Sequence, residues 1–292
     1  MTDELNPLST ITDFISRVGN LAMGRRKICL AMSGGAARAI AHIGVLRALT
    51  RAAIPIDSIV ATSGGALIGV FYAAGWTPEQ MIEVVPDLTW RRLTKVGFSK
   101  MGLVSAEPIE RLIVQKLGDI TFEELKIPMA IVATDLVKGQ PVIFNSGRVA
   151  DKVKAACSFP GIFKPVEIDG KMLCDGGIFE NVPVHAARDK MKAEVVIAVD
   201  TIPEAILESH PHNVIEIVDR AVDLVLKQRA KHLQEESDIY LEPVRSQISS
   251  FDLEAAEQLV RWGDDEGARA VDEIRRKARL SGFEKAPAAV ES

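Results

Sequence analysis

Within residues 28–75 the chain makes the same move twice. Ile28–Met32 is an apolar pentad that runs into Ser33-Gly34-Gly35-Ala36-Ala37-Arg38-Ala39, then into a helical pattern through Ile40, Val45, Leu46 and Leu49. Ser58–Val60 leads into Ala61-Thr62-Ser63-Gly64-Gly65, followed by the small and apolar residues Ala66, Leu67, Ile68, Gly69 and Val70. A short apolar strand, a glycine-rich turn and a helix, repeated without a long linker, predict a β-turn-α-β-turn-α unit of a parallel sheet. In such a sheet both turns emerge at one edge, where ligands bind. The two turns can converge only if their strands are neighbours, which short sequential connections favour.

Each turn has a chemical reading beside a plain one. A glycine-rich turn before a helix points free backbone N–H groups at an anion. A dinucleotide fingerprint is not met, because Ala36 and Ala39 occupy two of its glycine positions, and no G-K-[ST] completes a Walker loop. An oxyanion hole or an ordinary tight βα turn remains. The second turn has the layout of a nucleophile elbow, A-x-S-x-G, with Ala61 in place of the usual first glycine and Ser63 at the centre. A serine in a plain glycine-rich loop is the alternative.

The rest of the chain reads as α/β. Residues 107–118 form an amphipathic helix, Pro128–Thr134 a central strand ending near Asp135, Gly139–Phe144 a hairpin return, and Val149–Cys157 a helix. Val166–Cys174 is a hairpin turning at Asp169-Gly170. Asp175-Gly176-Gly177 follows directly, and Glu194–Asp200 is another apolar strand. Val214–Glu236 is a long helix, Ile239–Leu241 a last strand, and Leu253–Leu280 one or two helices broken near Gly263. Residues 9–23 carry helical periodicity ahead of the basic run Arg25-Arg26-Lys27, and pack on the main domain or lie in a membrane interface. Residues 77–104 mix Trp90, Phe98, Met101 and Leu103 with Arg91, Arg92, Lys95 and Lys100, the composition of a lid or of a solvated helical excursion. The expected division is an N-terminal amphipathic helix and basic flank over 1–26, an α/β core over 27–205, a helical C-terminal part of the same domain over 206–285, and a disordered tail over 286–292.

Composition closes several alternatives. A net charge of −5 with no dense Lys/Arg tract gives nucleic acid no electrostatic footprint. Residues 1–100 are basic, so contact with anionic lipid is one reading of that third. Cys29, Cys157 and Cys174 are widely spaced and form no C-x-x-C pair, so neither a metal site nor a disulfide framework is expected, and a reducing, cytoplasmic setting is. No secretory leader or membrane-spanning run is legible.

A Ser-His-Asp triad needs a histidine, and none of His42, His185, His210, His212 and His232 follows the elbow in a convincing position; His185, at a helix start, is the one mild candidate. A carboxylate acting directly as base is the remaining route. Burial would raise its pKa, and oriented amides would carry the oxyanion. Asp175, before two glycines at a strand end, is such a carboxylate or else a common turn residue.

Four segments then converge on a family: Ser33–Leu46, Ala61-Thr62-Ser63-Gly64-Gly65-Ala66-Leu67, Ala133-Thr134-Asp135-Leu136, and Ser158-Phe159-Pro160-Gly161-Ile162-Phe163 continuing through Asp175-Gly176-Gly177 to Asn181-Val182-Pro183-Val184. Their order and spacing resemble the patatin-like phospholipases, which include bacterial patatin-domain proteins and the catalytic domain of neuropathy target esterase, over roughly residues 27–205. The resemblance implies a patatin-like three-layer α/β/α sandwich with a mostly parallel central sheet. It implies a Ser-Asp dyad of Ser63 and Asp175 with no cofactor and no metal, an oxyanion hole from the amides of Gly34, Gly35 and Ala36, and Arg38 as a loop brace or a contact to substrate phosphate. The implied activity is hydrolysis of phospholipid or lysophospholipid acyl esters, by a protein either soluble in the cytoplasm or in peripheral contact with the inner face of a membrane. A neutral-lipid or thioester hydrolase, an acyltransferase, and a non-catalytic lipid- or protein-binding module are the alternatives. Ala36, Ala39 and Ala61 depart from the family's glycines.

Overall fold

The computed structural model describes residues 24–87, 89–99, 102–203, 210–245 and 248–280. The helix expected over 9–23 and the tail expected over 286–292 lie outside them. Among the described residues ten strands are formed: β1 Ile28–Met32, β2 Ser58–Thr62, β3 Lys95–Ser99, β4 Gly102–Ser105, β5 Met129–Asp135, β6 Gln140–Phe144, β7 Val166–Ile168, β8 Lys171–Asp175, β9 Val195–Val199 and β10 Ile239–Leu241. Eight make one sheet in the order β10-β9-β1-β2-β5-β8-β7, with β6 also paired to β5, while β3 and β4 form a separate two-stranded ribbon. β10, β9, β1, β2 and β5 are mutually parallel; β6 and β8 pair antiparallel to β5, and β7 pairs antiparallel to β8.

The apolar runs of the central strands bury both faces, as parallel strands between helices must. Alternate residues supply two cores. Leu30, Met32, Ile59, Ile131 and Ile197 pack with helices Ala41–Arg51, Ser63–Ala73 and Ala256–Ala278. Ala31, Val60, Val132, Val196 and Ala198 pack on the other face with Val184, Ala187 and Leu233. This is a three-layer α/β/α arrangement.

The expected break near Gly263 does not occur. Ala256–Ala278 is one continuous helix. Gly263 is there because two helices touch: a Cβ built on it would lie 2.0 Å from the Ala41 carbonyl oxygen, and one on Gly44 would lie 2.0 Å from that of Val260. The backbone-to-backbone contact holds the C-terminal helix against Ala41–Arg51, the helix that follows the first glycine-rich turn. The Ala256–Ala278 helix is thereby packed into the same fold.

The 77–104 segment resolves into a Thr77-capped helix over Pro78–Val84, a short helix Trp90–Leu93 and the β3–β4 ribbon. No helix among the described residues is long and apolar enough to cross a membrane.

Gly263→Ala tests the helix contact. Helix propensity alone would stabilise the variant by about 1 kcal/mol. Overpacking against a carbonyl costs about 1–3 kcal/mol and more when backbone must move. Urea denaturation is expected to show net destabilisation; a stabilised variant would mean that the two helices part freely.

Candidate active site

Ser63 and Asp175 meet because two strands share one edge of β5. Along one edge of β5, β6 pairs Ile131 through Asp135. Along the other, β2 pairs as far as Thr62 opposite Val132, and β8 begins where β2 stops, with Asp175 opposite Ala133. β2 and β8 run in opposite directions, so their C-terminal ends point at each other. Gly176 lies in the junction: a Cβ there would sit 2.2 Å from the Val132 carbonyl oxygen and 3.1 Å from Thr62 Cγ2.

Ser63 opens the Ser63–Ala73 helix with φ of 50°, a left-handed conformation that costs a non-glycine residue roughly 1–2 kcal/mol. That turn lifts the hydroxyl out of the strand. Ser63 Oγ donates to Asp175 Oδ2 at 2.5 Å. The other carboxylate oxygen accepts the Gly177 N–H at 2.8 Å, and the Asp175 N–H donates to the Ser158 carbonyl. Asp175 is almost fully buried. Burial pushes its pKa up from 3.8 to about 6, against the opposing hydrogen bonds from Ser63 and Gly177. Cys157 Sγ donates to the Ser63 carbonyl at 3.2 Å; burial, with Asp175 nearby, raises its pKa well above the ordinary thiol value and keeps it neutral.

The first turn stands beside this pair under dense restraint. Gly35 has φ of 156°, and a Cβ on it would lie 2.3 Å from Thr201 Oγ1, so both backbone and space require glycine. Thr201 Oγ1 donates to the Gly34 carbonyl at 2.9 Å, and the Thr201 N–H donates to Ser33 Oγ at 2.9 Å. The Gly34 N–H is not free: it donates to Asn181 Oδ1 at 3.1 Å. Of the three amides expected to hold an oxyanion, the geometry leaves those of Gly35 and Ala36.

Arg38 is buried and gives both terminal nitrogens to Asp223, at 2.8 and 3.0 Å. Its Nε points to the Gly35 carbonyl at 3.4 Å. These contacts fit the bracing role and leave no open fork for a phosphate. They tie the turn to helix Val214–Glu236.

The three alanine departures are accommodated separately. Ala36 adopts φ of 49° and bears the left-handed cost itself. Ala39 approaches Gly64 so closely that a Cβ on that glycine would lie 2.7 Å from its own. Ala61 sits in regular strand pairing between β1 and β5, and the positive φ falls on Ser63 instead.

No histidine reaches the pair. His42 is buried with its Nε2–H donating to the Ser33 carbonyl at 2.9 Å, and burial lowers its pKa to about 4. His185 is more than half exposed and bridges Glu180 and Glu236. Asn181, Thr201 and Asp223 are the contributors that sequence reasoning assigned no role. Asn181 stood inside a matched segment, whereas Asp223, 185 residues from Arg38, carried no signal.

Ser63 and Asp175 open into a cavity of about 530 Å³. One wall is apolar, with Leu67, Ile68, Leu93, Val104, Phe159 and Ile162; the other, from helix Val214–Glu236, is mixed, with Glu216, Asp219 and Asp223 beside Val222 and Leu226. Among the described residues no group of three His, Cys, Asp or Glu side chains is assembled to hold a metal.

The family model for patatin-like phospholipases matches residues 30–188, more than half of the chain. The chain belongs to the patatin-like phospholipase family. Among curated family relatives, an uncharacterized NTE family protein of Mycobacterium tuberculosis is 35% identical over 175 residues, covering 59% of this chain and 48% of that protein. A lysophospholipase nte1 of Aspergillus fumigatus is 33% identical over 184 residues, covering 60% of this chain and 12% of that protein. The match thus spans about half the length of the first relative and a small part of the second. Among solved structures, VipD from Legionella pneumophila superposes with a TM-score of 0.56 at 13% identity, covering 86% of this chain and 67% of that one. The type III effector protein ExoU superposes with a TM-score of 0.51 at 14% identity, covering 85% and 53%. These likenesses establish the shared fold.

The raised pKa of Asp175 predicts a stability effect with a definite sign. Its folded-state pKa exceeds the unfolded value, so the associated stability is present below pH 3.8 and lost as pH rises through about 6. Asp175→Asn can still accept from Gly177 and carries no buried charge. Chemical denaturation is expected to show the variant folded and more stable than wild type at pH 8, by up to about 3 kcal/mol, with the gap closing toward pH 4. Equal stability at all pH values would refute the shift.

Proposed function

We propose that this chain is a serine acyl hydrolase that cleaves acyl esters of phospholipids or lysophospholipids through a Ser63–Asp175 dyad. The observation that carries the reading is the 2.5 Å hydrogen bond from Ser63 Oγ to Asp175 Oδ2 at the head of an apolar cavity. Family membership supports it, as does the lysophospholipase activity named for the fungal relative.

In the proposed reaction the acyl chain lies along Leu67, Ile68, Phe159 and Ile162, with the ester carbonyl beside Ser63. Ser63 Oγ forms a bond to the carbonyl carbon and its proton passes to Asp175. The carbonyl oxygen becomes an oxyanion held by the Gly35 and Ala36 amides; each such donor is worth roughly 10²–10³ in rate. Collapse breaks the ester C–O bond, and Asp175 returns the proton to the departing alcohol. Water then attacks the acyl–Ser63 ester, Asp175 accepts its proton, and the fatty acid leaves as Ser63 regains its hydrogen. A base with a pKa near 6 suits this work, being ionised at neutral pH yet far more basic than an exposed carboxylate.

The substrate brings the protein to a lipid surface. The three free, buried thiols accord with a reducing, cytoplasmic setting.

Mass-spectrometric turnover of lysophospholipids tests the reading. Wild type is expected to release fatty acid and to be labelled by a fluorophosphonate. Ser63→Ala should lose labelling and at least about 10³-fold in rate. The kcat/KM of wild type should climb about tenfold per pH unit below pH 6 and level off above it, as ionisation of the base requires. Absence of both labelling and fatty-acid release from wild type would sink the proposal.

A further inference from the structure

The Val214–Glu236 helix is partly inverted over its first half: Val222 and Leu226 line the cavity, but its longer apolar stripe faces outward. Val214, Ile217, Val218, Ala221, Leu224 and Val225 recur at helical spacing on one face. That face is turned to solvent: Val214 is 73% exposed, Ile217 52% and Val225 53%, and Val218 and Leu224 are also exposed. The acidic residues of the same half face the protein. Asp223 takes the Arg38 guanidinium, Asp219 accepts from Ser250 Oγ, and Glu216 lines the cavity. An ordinary surface helix puts its apolar stripe against the core and its charges in water. The second half of this helix obeys that rule, with Ala230 and Leu233 buried and Arg229, His232 and Glu236 exposed.

The inversion coincides with the catalytic cavity. Glu216, Asp219 and Asp223 line that cavity yet are only half-buried, so the cavity reaches solvent along this stretch of helix. The outer side of the same stretch is the apolar stripe, and the stripe stops at Val225, where the exposed positions become Gln228 and Arg229. A contiguous exposed apolar stripe rimmed by polar residues marks an interaction site. The stripe carries no charge of its own, so its complement is apolar. Asn213 caps the helix by accepting the Glu216 N–H at 3.0 Å, so the stripe is presented on a formed helix rather than a loose segment.

We propose that this stripe is the face by which the protein docks on a lipid surface, with Val214, Ile217, Val218, Leu224 and Val225 entering the headgroup–acyl boundary. The inference rests on the acyl-hydrolase reading for its choice of a lipid partner. Docking in this way sets the cavity mouth against the surface that supplies the substrate. Interfacial helices bind by buried apolar area plus attraction to anionic lipids, and here the first contribution dominates.

Flotation with phosphatidylcholine vesicles tests the proposal in a Ser63→Ala background, where binding is read without turnover. The parent is expected to float with the vesicles at both 0.1 M and about 0.5 M salt, since an uncharged contact escapes Debye screening. Ile217→Asp with Val225→Asp should lower vesicle affinity at least about tenfold, each charge being costly to bury. In a Ser63-intact protein the same pair should leave hydrolysis of a soluble, short-chain ester unchanged and lower the rate on vesicular lysophospholipid. Three results would overturn the proposal: no flotation of the parent, equal flotation of the variant, or a parent dimer that the substitutions convert to a monomer. Stripe-dependent flotation without any ester turnover would instead leave docking standing and remove the hydrolase reading.

Discussion

The structure turns on one edge of β5. Val132 and Ala133 are consecutive, yet the first pairs with β2 and the second with β8. That handover brings the end of a parallel strand and the end of an antiparallel strand head to head. A serine leaving the first and a carboxylate ending the second then meet at hydrogen-bond distance, although 112 residues separate them. Rigid sheet backbone fixes both partners, so their separation depends little on loops. The hairpin Val166–Asp175 is what makes this possible, because only a reversed strand can present its C-terminal end toward that of β2.

The same economy governs the turn beside them. Ser33-Gly34-Gly35-Ala36 is held from several sides: Thr201 from the end of β9, Asn181 from the segment after Asp175, His42 from its own helix, and Asp223 through Arg38. Each restraint answers a buried polar group that would otherwise cost free energy. Together they fix a backbone that includes Gly35 and a left-handed Ala36. The left-handed cost of Ala36 and Ser63 is roughly 1–2 kcal/mol each, and surrounding structure must over-determine such residues for them to persist.

Two buried polar groups flank the site. Burial raises the Asp175 carboxylate to a pKa of about 6, at the expense of folded stability above that pH. The buried Arg38 side chain is met by Asp223 with two hydrogen bonds. A long helix thereby becomes part of the site through its acidic side, while its apolar side faces outward. The proposed chemistry and the proposed docking face use the two sides of one element.

The strands and turns were legible from sequence because their cause is local. Apolar pentads, paired glycines and an Asp-Gly hairpin each act within a few residues, and β1, β2, β5, β7 and β8 lie where those patterns put them. The scarcity of well-placed histidines, with Asp175 before two glycines, already directed attention to a serine–carboxylate pair, and the resemblance of four segments supplied the assignment. What sequence reading missed depends on contacts between distant segments. Gly263 read as a helix break, since a glycine lowers helix propensity locally, and only the Ala41 carbonyl pressed against it explains an unbroken helix. The Gly34 amide read as free until Asn181 was found accepting from it. Asp223 had no local mark at all. The inverted helix was visible as a periodic pattern, but a period states only that two faces differ. Which face meets water is decided by the tertiary structure, through the cavity and the arginine that claim its acidic side.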